Sequence, residues 1–158
     1  QLSSGKSNYR VLEIGAGLGR TAYFATQFGI QDYSIIDIPL TGAAQSYFLG
    51  RVLGEENVQL HGEKNQGIVQ IIPASELESM TETYDLIVNV DSLTELPKDI
   101  MNAYWMFSKK STKTFLSINH EFNENVIKDL YMDSSIHSVT RYPYWLRRGY
   151  VEETVNFS

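Results

Sequence analysis

The chain has 158 residues, of which 42% are apolar, and these values fit one globular domain with its own core rather than a disordered segment. The net charge is −6 and no basic stripe is present, so nucleic acid is a poor partner on electrostatic grounds. The chain contains no cysteine, which excludes disulfides, thiolate metal sites and a cysteine nucleophile.

Two further expectations follow from the hydropathy of the chain and from its first residues. No apolar run reaches the roughly 20 residues needed to span a bilayer, and the polar start QLSSGKSNYR does not resemble a signal peptide. We therefore expect a cytoplasmic protein without a membrane partner. Because the chain begins without Met directly before its first predicted strand, we expect one domain over residues 1–158 that lacks an N-terminal region of a longer protein.

Strands and helices alternate along the first half of the chain, which favours a mostly parallel sheet covered by helices on both faces. Apolar runs predict strands over 9–14 and 32–38, and helical spacing predicts helices over 20–28 and 41–53. Two short strand-like stretches, 58–61 and 67–72, flank a polar loop. One of them is the third strand of the sheet, and the pattern leaves open which one.

The second half continues the alternation and then departs from it. Its elements are predicted strands over 84–90 and 114–119 and predicted helices over 98–108 and 123–132. The last two strands, 136–142 and 150–157, have only a short Gly/Pro loop between them and should pair antiparallel. We expect an α/β fold with a seven-stranded, mostly parallel sheet and an antiparallel C-terminal hairpin.

A glycine-rich loop, GAGLG, follows the first predicted strand and opens a helix. Gly15, Gly17 and Gly19 allow positive φ angles and let a ligand approach the backbone, including that of Ala16, without colliding with side chains. The nicotinamide fingerprint is G-x-G-x-x-G, whereas here the spacing is G-x-G-x-G and Arg20 follows. The loop thus predicts a nucleotide-like ligand but argues against a nicotinamide cofactor.

An acidic residue ends the second predicted strand. The carboxylate of Asp37 can accept hydrogen bonds from both hydroxyls of a ribose in a paired geometry. The alternative is a strand-terminal residue that caps the turn before Pro39.

Several motifs resemble those of class I S-adenosylmethionine-dependent methyltransferases. The string EIGAGLG resembles their first motif, and the antiparallel last strand is typical of their Rossmann-like fold. Three further stretches, YSIIDIP, YDLIVNVDSLTEL and FLSINHEF, resemble the sugar O-methyltransferase family within that class. The chain departs from that pattern at His120, where an arginine is expected.

The resemblance implies S-adenosyl-L-methionine as the cofactor and a set of residues that bind it. Glu13 would orient the amino-acid part of the donor, and the segment after the third strand would read the adenine, although Ser75 could instead cap a short helix. The full set of predicted cofactor-binding residues is Glu13, Gly15, Ala16, Gly17, Gly19, Asp37, Ile38, Ala74, Ser75 and Asn89.

The implied activity is methyl transfer to a sugar hydroxyl. Methylation of another small molecule or of a protein, and a donor-binding module without turnover, remain alternatives. The sequence NVDS after strand 84–90 is not an N-P-P-Y-type motif, which counts against methylation of nucleic-acid bases and of glutamine.

Deprotonation of a hydroxyl acceptor calls for a general base near the carboxyl ends of the strands. The candidates are His120, Asp91 and Glu121, and each is open to the alternative of an ordinary surface or turn residue. The same three side chains are compatible with Mg²⁺, although the sequence assigns no metal ligand. The tail RYPYWLRRGY suits a saccharide acceptor, but a contact in a homodimer or a lid is the favoured interpretation.

Overall fold

The computed structural model describes residues 9–64, 67–131 and 136–158, and its contacts divide the chain into two compact units, Gln1–Met80 and Thr81–Ser158. The helices and strands of the first unit are β1 Arg10–Ile14, α1 Arg20–Gln27, β2 Asp32–Asp37, α2 Pro39–Leu53, β3 Val58–Leu60 and β4 Val69–Pro73. Those of the second are β5 Leu86–Val90, α3 Lys98–Ser111, β6 Thr114–His120, β7 Ile136–Pro143 and β8 Tyr150–Phe157.

The four strands of the first unit are all parallel, in the order β3-β4-β2-β1. Asp37 of β2 pairs with Pro73 of β4, and Ile14 of β1 pairs with Ile36, so the carboxyl ends of three strands lie level. Helices α1 and α2 contact each other, and α2 also contacts β3 and β4. This arrangement brings the loops that follow β1, β2 and β4 to one edge of the sheet.

The second unit carries the antiparallel hairpin, in the order β5-β6-β8-β7. β5 and β6 are parallel, whereas β8 is antiparallel to both of its neighbours. Helix α3 buries its aromatic side, and the indole of Trp105 lies edge-on against Phe115 at 5.6 Å and Phe157 at 5.2 Å. The predicted α/β class and the C-terminal hairpin are confirmed.

Both of the stretches that competed for the third strand are strands. β4 pairs with β2 on one side and with β3 on the other, so β3 is a short edge strand. The described residues therefore contain eight strands, and the prediction of seven was wrong. Each stretch is short and apolar, and only the pairing shows that both belong to the sheet.

The predicted helix over 123–132 is also wrong within the described residues, and residue 132 lies outside them. A single 3-10 turn, Ile127–Leu130, is present, and Val126 before it is extended at φ −134°. The side chains of Asn123 and Asn125 donate to Thr94 Oγ1 at 2.8 Å and to the Leu96 carbonyl at 2.9 Å. Such side-chain hydrogen bonds hold the segment in a non-helical conformation against the loop that follows β5.

Helix α2 begins at Pro39, two residues before the predicted start, because proline is well suited to the first helical position. No helix in the described part of the chain is long and apolar enough to cross a membrane.

Candidate functional site

The glycine loop between β1 and α1 takes the left-handed conformation at all three glycines. The φ angles are 68° at Gly15, 56° at Gly17 and 81° at Gly19. Gly15 N donates to the Ile36 carbonyl at 3.0 Å, and Gly19 N donates to the Ala16 carbonyl at 2.9 Å. These bonds attach the loop to β2 and close it into a tight turn.

The three glycines have different surroundings. A Cβ on Gly19 would lie 2.9 Å from Leu49 Cδ1 of helix α2, whereas a Cβ on Gly17 would meet nothing within 4 Å. Gly19 is therefore needed for the packing of the loop against α2. Gly17 faces open space, which is the feature expected of backbone that a ligand approaches.

Asp37 ends β2 beside that loop. Its Oδ1 accepts from the backbone N of Ile38 at 2.8 Å, and its Oδ2 accepts from Gln45 Nε2 at 2.7 Å. Burial raises the pKa of Asp37 above its ordinary value, against the opposing effect of these hydrogen bonds. Each oxygen has a second lone pair, so the turn-capping role and the ribose-binding role are compatible.

Gln45 is the residue in this region that sequence reasoning missed. It lies on α2 and is fully buried, and its Nε2 donates both to Asp37 and to the Gly17 carbonyl at 2.9 Å. No motif or spacing marks it. The only signal is a polar side chain among the small residues of α2, two turns after the strand end.

Glu13 lies one residue before the end of β1 and is 1% exposed. Its carboxylate accepts from the Tyr33 hydroxyl at 2.9 Å. Burial raises the pKa of Glu13 to about 7, although hydrogen bonds from Tyr33 and Thr21 oppose the change. In this conformation Glu13 links β1 to β2, and its predicted contact with a donor stays a prediction.

A cavity of about 310 Å³ opens between the ends of β2 and β4 and helix α2. Ile38 is 56% exposed, and the next turn, Ala74–Glu76, begins directly after Pro73 of β4. The N-cap of that turn is Pro73, so the alternative role of Ser75 as a helix cap is wrong. The lining is mostly apolar with one carboxylate, and it consists of Asp37, Ile38, Pro39, Gly42, Ala43, Ser46, Leu60, His61, Ile71, Ile72 and Pro73.

In the second unit, Asn89 of the motif YDLIVNVDSLTEL and Asn119 of the motif FLSINHEF are hydrogen-bonded to each other. Asn119 Nδ2 donates to Asn89 Oδ1 at 2.6 Å and to Ser117 Oγ at 2.8 Å, and Asn119 Oδ1 accepts from the backbone N of Ser92. Asn89 is fully buried and also donates to Ser92 Oγ. The motif thus fixes the loop after β5, and the predicted donor contact of Asn89 stays a prediction.

Asp91 sits in that loop at φ 58°, the one positive φ outside glycine among the described residues. Arg147 donates to its Oδ2 at 2.7 Å, and the Tyr150 hydroxyl donates to its Oδ1. Burial alone would raise the pKa of Asp91, but the hydrogen bonds from Tyr150 and Arg147 outweigh it and lower the pKa. The Arg147 guanidinium also lies 3.9 Å above the ring of Tyr150.

His120 and Glu121 follow at the carboxyl end of β6 and face different partners. The backbone N of Phe122 donates to His120 Nδ1 at 3.3 Å, and the imidazole lies edge-on to the ring of Tyr150 at 5.1 Å. Glu121 pairs with Arg141 and with Lys128, and the hydrogen bond from Arg141, followed by that from Lys128, lowers the pKa of this carboxyl.

The Mg²⁺ alternative is not supported by the geometry. Across the described ranges, no group of three His, Asp or Glu side chains could hold a metal ion. The physical reason is that Asp91 faces Arg147 and Tyr150, whereas Glu121 faces Arg141 and Lys128, so cations already compensate both carboxylates.

A groove of about 350 Å³ lies at the tip of the β7–β8 hairpin. Phe122 is 81% exposed and Tyr142 is 63% exposed, so these rings line the groove instead of filling the core. Its lining combines aromatic faces with two guanidinium groups, and it consists of Glu121, Phe122, Arg141, Tyr142, Pro143, Arg148, Gly149, Tyr150 and Val151.

No protein-family profile matches the sequence, and no curated protein does. Known structures do match. A glycopeptide N-methyltransferase complexed with S-adenosyl-L-homocysteine is similar at a TM-score of 0.72, with 10% identity over 98% of this chain and 85% of that one. The chain has the class I methyltransferase fold.

Two other methyltransferases show the same likeness. The magnesium protoporphyrin IX methyltransferase of Synechocystis PCC 6803, with bound S-adenosylmethionine, gives a TM-score of 0.66 at 15% identity over 94% of this chain and 70% of that one. A mitomycin 7-O-methyltransferase gives 0.66 at 14% identity over 96% of this chain and 49% of that one. At such identities the likeness establishes the class I methyltransferase fold and nothing finer.

Proposed function

We propose that this chain binds S-adenosyl-L-methionine in its first unit and transfers the methyl group to an acceptor. The observation that carries the proposal is the position of Asp37 between the glycine loop and the 310 Å³ cavity. Asp37 accepts from the ribose hydroxyls, and the exposed Ile38 covers one face of the adenine within the apolar cavity. The amino-acid part of the donor lies over Gly17, where no side chain intervenes.

The donor assignment agrees with the ligands of two structures of the same fold, which hold S-adenosylmethionine and S-adenosyl-L-homocysteine. It also agrees with the sequence, because the G-x-G-x-G spacing does not match the nicotinamide fingerprint. The chain's residues bind and orient the donor. Its sulfonium methyl group is already a good electrophile, so that alignment is the main task of the protein.

The acceptor side of the proposal is a sugar hydroxyl, and it rests on the second unit by itself. The rings of Phe122 and Tyr142 offer apolar faces against which a sugar ring can pack, and Arg148 supplies hydrogen-bond donors. His120 is the proposed general base, since an imidazole can take up a proton near neutral pH. Asp91 and Glu121 are poorer bases, because hydrogen bonds lower their pKa values. These bonds come from Tyr150 and Arg147 at Asp91 and from Arg141 and Lys128 at Glu121.

A donor-binding module without turnover is the second candidate, and one observation favours it. Both carboxylates near the ends of β5 and β6 are already paired with cations, which leaves His120 as the one remaining base of the three proposed. The donor site of the first unit does not depend on any of these residues.

Calorimetry with S-adenosyl-L-homocysteine and with NAD tests the donor assignment. We expect measurable binding of S-adenosyl-L-homocysteine and no measurable binding of NAD. Binding of NAD in preference to S-adenosyl-L-homocysteine would overturn the assignment. Turnover on a panel of nucleotide sugars and simple glycosides then separates the two candidates. Methylation of a sugar that is lost in His120→Gln supports the enzyme, whereas donor binding without methylation of any compound in the panel supports the binding module.

A further inference from the structure

Gln45 of helix α2 connects the two parts of the proposed donor site. Its Nε2 donates to the Gly17 carbonyl at 2.9 Å and to Asp37 Oδ2 at 2.7 Å, across 28 and 8 residues of chain. We propose that Gln45 is a positioning residue for donor binding, which holds the glycine loop and the ribose-binding carboxylate in their bound arrangement before the donor arrives. This inference rests on the proposed function of the first unit.

The bond to Asp37 determines the orientation of a carboxylate that must meet two hydroxyls at once. Oδ1 is held by the backbone N of Ile38 and Oδ2 is held by Gln45, so the plane of the carboxyl group is set by the protein. A ribose diol requires both oxygens in that plane. Without Gln45 only the backbone N–H groups of Ile38 and Ala16 would hold the carboxyl group, and the donor would have to complete its ordering on binding.

The bond to the glycine loop determines the direction of one peptide unit. In a trans peptide the C=O and the following N–H point in opposite directions. Because the Gly17 carbonyl points at Gln45 inside the unit, the N–H of Leu18 is directed away from α2. That amide donor therefore lies on the outer side of the loop, beside the open space in front of Gly17.

The other end of the same side chain argues against a purely structural role. Among the described residues, Gln45 Oε1 is the one buried side-chain polar atom without a hydrogen-bond partner, and the residue is fully buried. An unpaired buried carbonyl destabilises the folded state. The amide group is therefore present at an energetic cost, and what it contributes is its two donated bonds, to the Gly17 carbonyl and to Asp37.

The substitution Gln45→Met tests the proposal, because methionine has nearly the same length and removes both the donated bonds and the unpaired carbonyl. We expect the affinity for S-adenosyl-L-homocysteine to fall about tenfold or more, because the donor must then order the glycine loop and the Asp37 carboxyl group as it binds. The thermal midpoint of the ligand-free protein should fall only slightly, because removal of the unpaired carbonyl offsets part of the loss of the two donated bonds. Gln45→Leu, with a different apolar shape, is measured in parallel to separate poor packing from lost binding.

The matched control is Gln59→Met on β3, which removes an amide that donates to the Glu63 carbonyl and bonds neither to the glycine loop nor to Asp37. It should leave the affinity for S-adenosyl-L-homocysteine unchanged. Wild-type affinity in a folded Gln45→Met protein would overturn the inference, as would a large loss of thermal stability in both apolar variants, which would show a structural role. Failure of the wild-type protein to bind S-adenosyl-L-homocysteine would instead overturn the proposed function.

Discussion

Two carboxylates at the ends of neighbouring strands differ in their surroundings. Glu13 is 1% exposed and bonded to Tyr33, whereas Asp37 reaches the edge of a cavity. Burial raises the pKa of both groups, but only Asp37 has access to a ligand in this conformation. The two residues therefore lead to different predictions, one about binding and one about the pH dependence of stability.

Substitution of Asp37 by alanine should weaken the binding of S-adenosyl-L-homocysteine by about 2–4 kcal/mol, because two charge-assisted hydrogen bonds to the ribose are lost. The ligand-free protein should lose about 1 kcal/mol of stability, since Ile38 N and Gln45 Nε2 lose their acceptor. Calorimetry and urea denaturation measure the two effects. Asp32→Ala, at the other end of β2, removes a half-buried ion pair with Arg10 and should leave affinity unchanged. Equal affinities of Asp37→Ala and wild type would show that Asp37 serves only the turn.

Glu13 should make the protein less stable as the pH rises. Its pKa is about 7 in the folded state against an ordinary 4.5, so between these values the unfolded chain releases a proton that the folded chain retains. The free energy of unfolding should fall by on the order of 3 kcal/mol as the pH rises from 4.5 through 7, and it should level off about one pH unit above the folded-state pKa. Glu13→Gln, which resembles the protonated acid, should lack this decline.

The measurement is urea denaturation of wild type and Glu13→Gln across that pH range, since the difference between them isolates Glu13 from other titrating groups. Glu78→Gln, an exposed glutamate of the same unit, is the matched control and should follow the wild-type curve. Parallel curves for wild type and Glu13→Gln would contradict the raised pKa.

At the scale of the elements, the glycine loop serves both packing and binding. The turn is attached to β2 through Gly15 and packs on α2 through Gly19, whereas a Cβ on Gly17 would meet nothing within 4 Å, although the Gly17 carbonyl accepts from Gln45 of α2. The same glycine-to-alanine substitution should therefore have different effects at Gly17 and at Gly19.

Gly19→Ala should destabilise the protein by about 2–3 kcal/mol, since the new Cβ combines a positive φ with a collision at Leu49 Cδ1. Gly17→Ala should cost about 1 kcal/mol, because only the backbone conformation is unfavourable there. For the affinity for S-adenosyl-L-homocysteine, measured on the folded fraction of each variant, we expect the opposite order. Gly17→Ala should weaken binding more than Gly19→Ala, because the Cβ at residue 17 projects into the space proposed for the donor. Urea denaturation and calorimetry test both statements, and equal destabilisation by the two substitutions would contradict them.

At the scale of the whole molecule, the fold indicates which methyl donor is bound but not which acceptor. The three similar proteins carry the names of a glycopeptide N-methyltransferase, a porphyrin methyltransferase and a mitomycin O-methyltransferase. One fold thus serves acceptors of unrelated chemistry, and the acceptor has to be inferred from side chains rather than from architecture.

Donor binding should raise the stability of the whole chain through mass action. At a concentration of S-adenosyl-L-homocysteine one hundred times its Kd, the gain is about 2.7 kcal/mol, which corresponds to roughly 5–10 °C in Tm for a chain of this size. Differential scanning calorimetry measures the shift, and NAD at the same concentration should produce none. A Tm that does not depend on the concentration of S-adenosyl-L-homocysteine would contradict the donor assignment.

Local sequence was sufficient for the features that depend on backbone conformation. The glycine spacing, the acid after β2 and the Gly/Pro loop of the hairpin all act within a few residues, and the structure contains the corresponding loop, strand end and antiparallel pair. Local pattern failed where distant partners compete with it. The segment after β6 is apolar at helical spacing, yet Asn123 and Asn125 bond to Thr94 and Leu96 instead.

The electrostatic character of the site depends on contacts that have no local pattern. Gln45 reaches the Gly17 carbonyl across 28 residues, and Arg147 reaches Asp91 across 56. The first contact connects the two parts of the proposed donor site. The hydrogen bond from Tyr150, together with the one from Arg147, lowers the pKa of a carboxylate that the sequence offers as a base or a metal ligand. These groups are far apart in the sequence, and only the folded structure brings them within hydrogen-bond distance. At that distance their electrostatic interaction is strong enough to change the pKa of a carboxylate and to fix the orientation of a side chain.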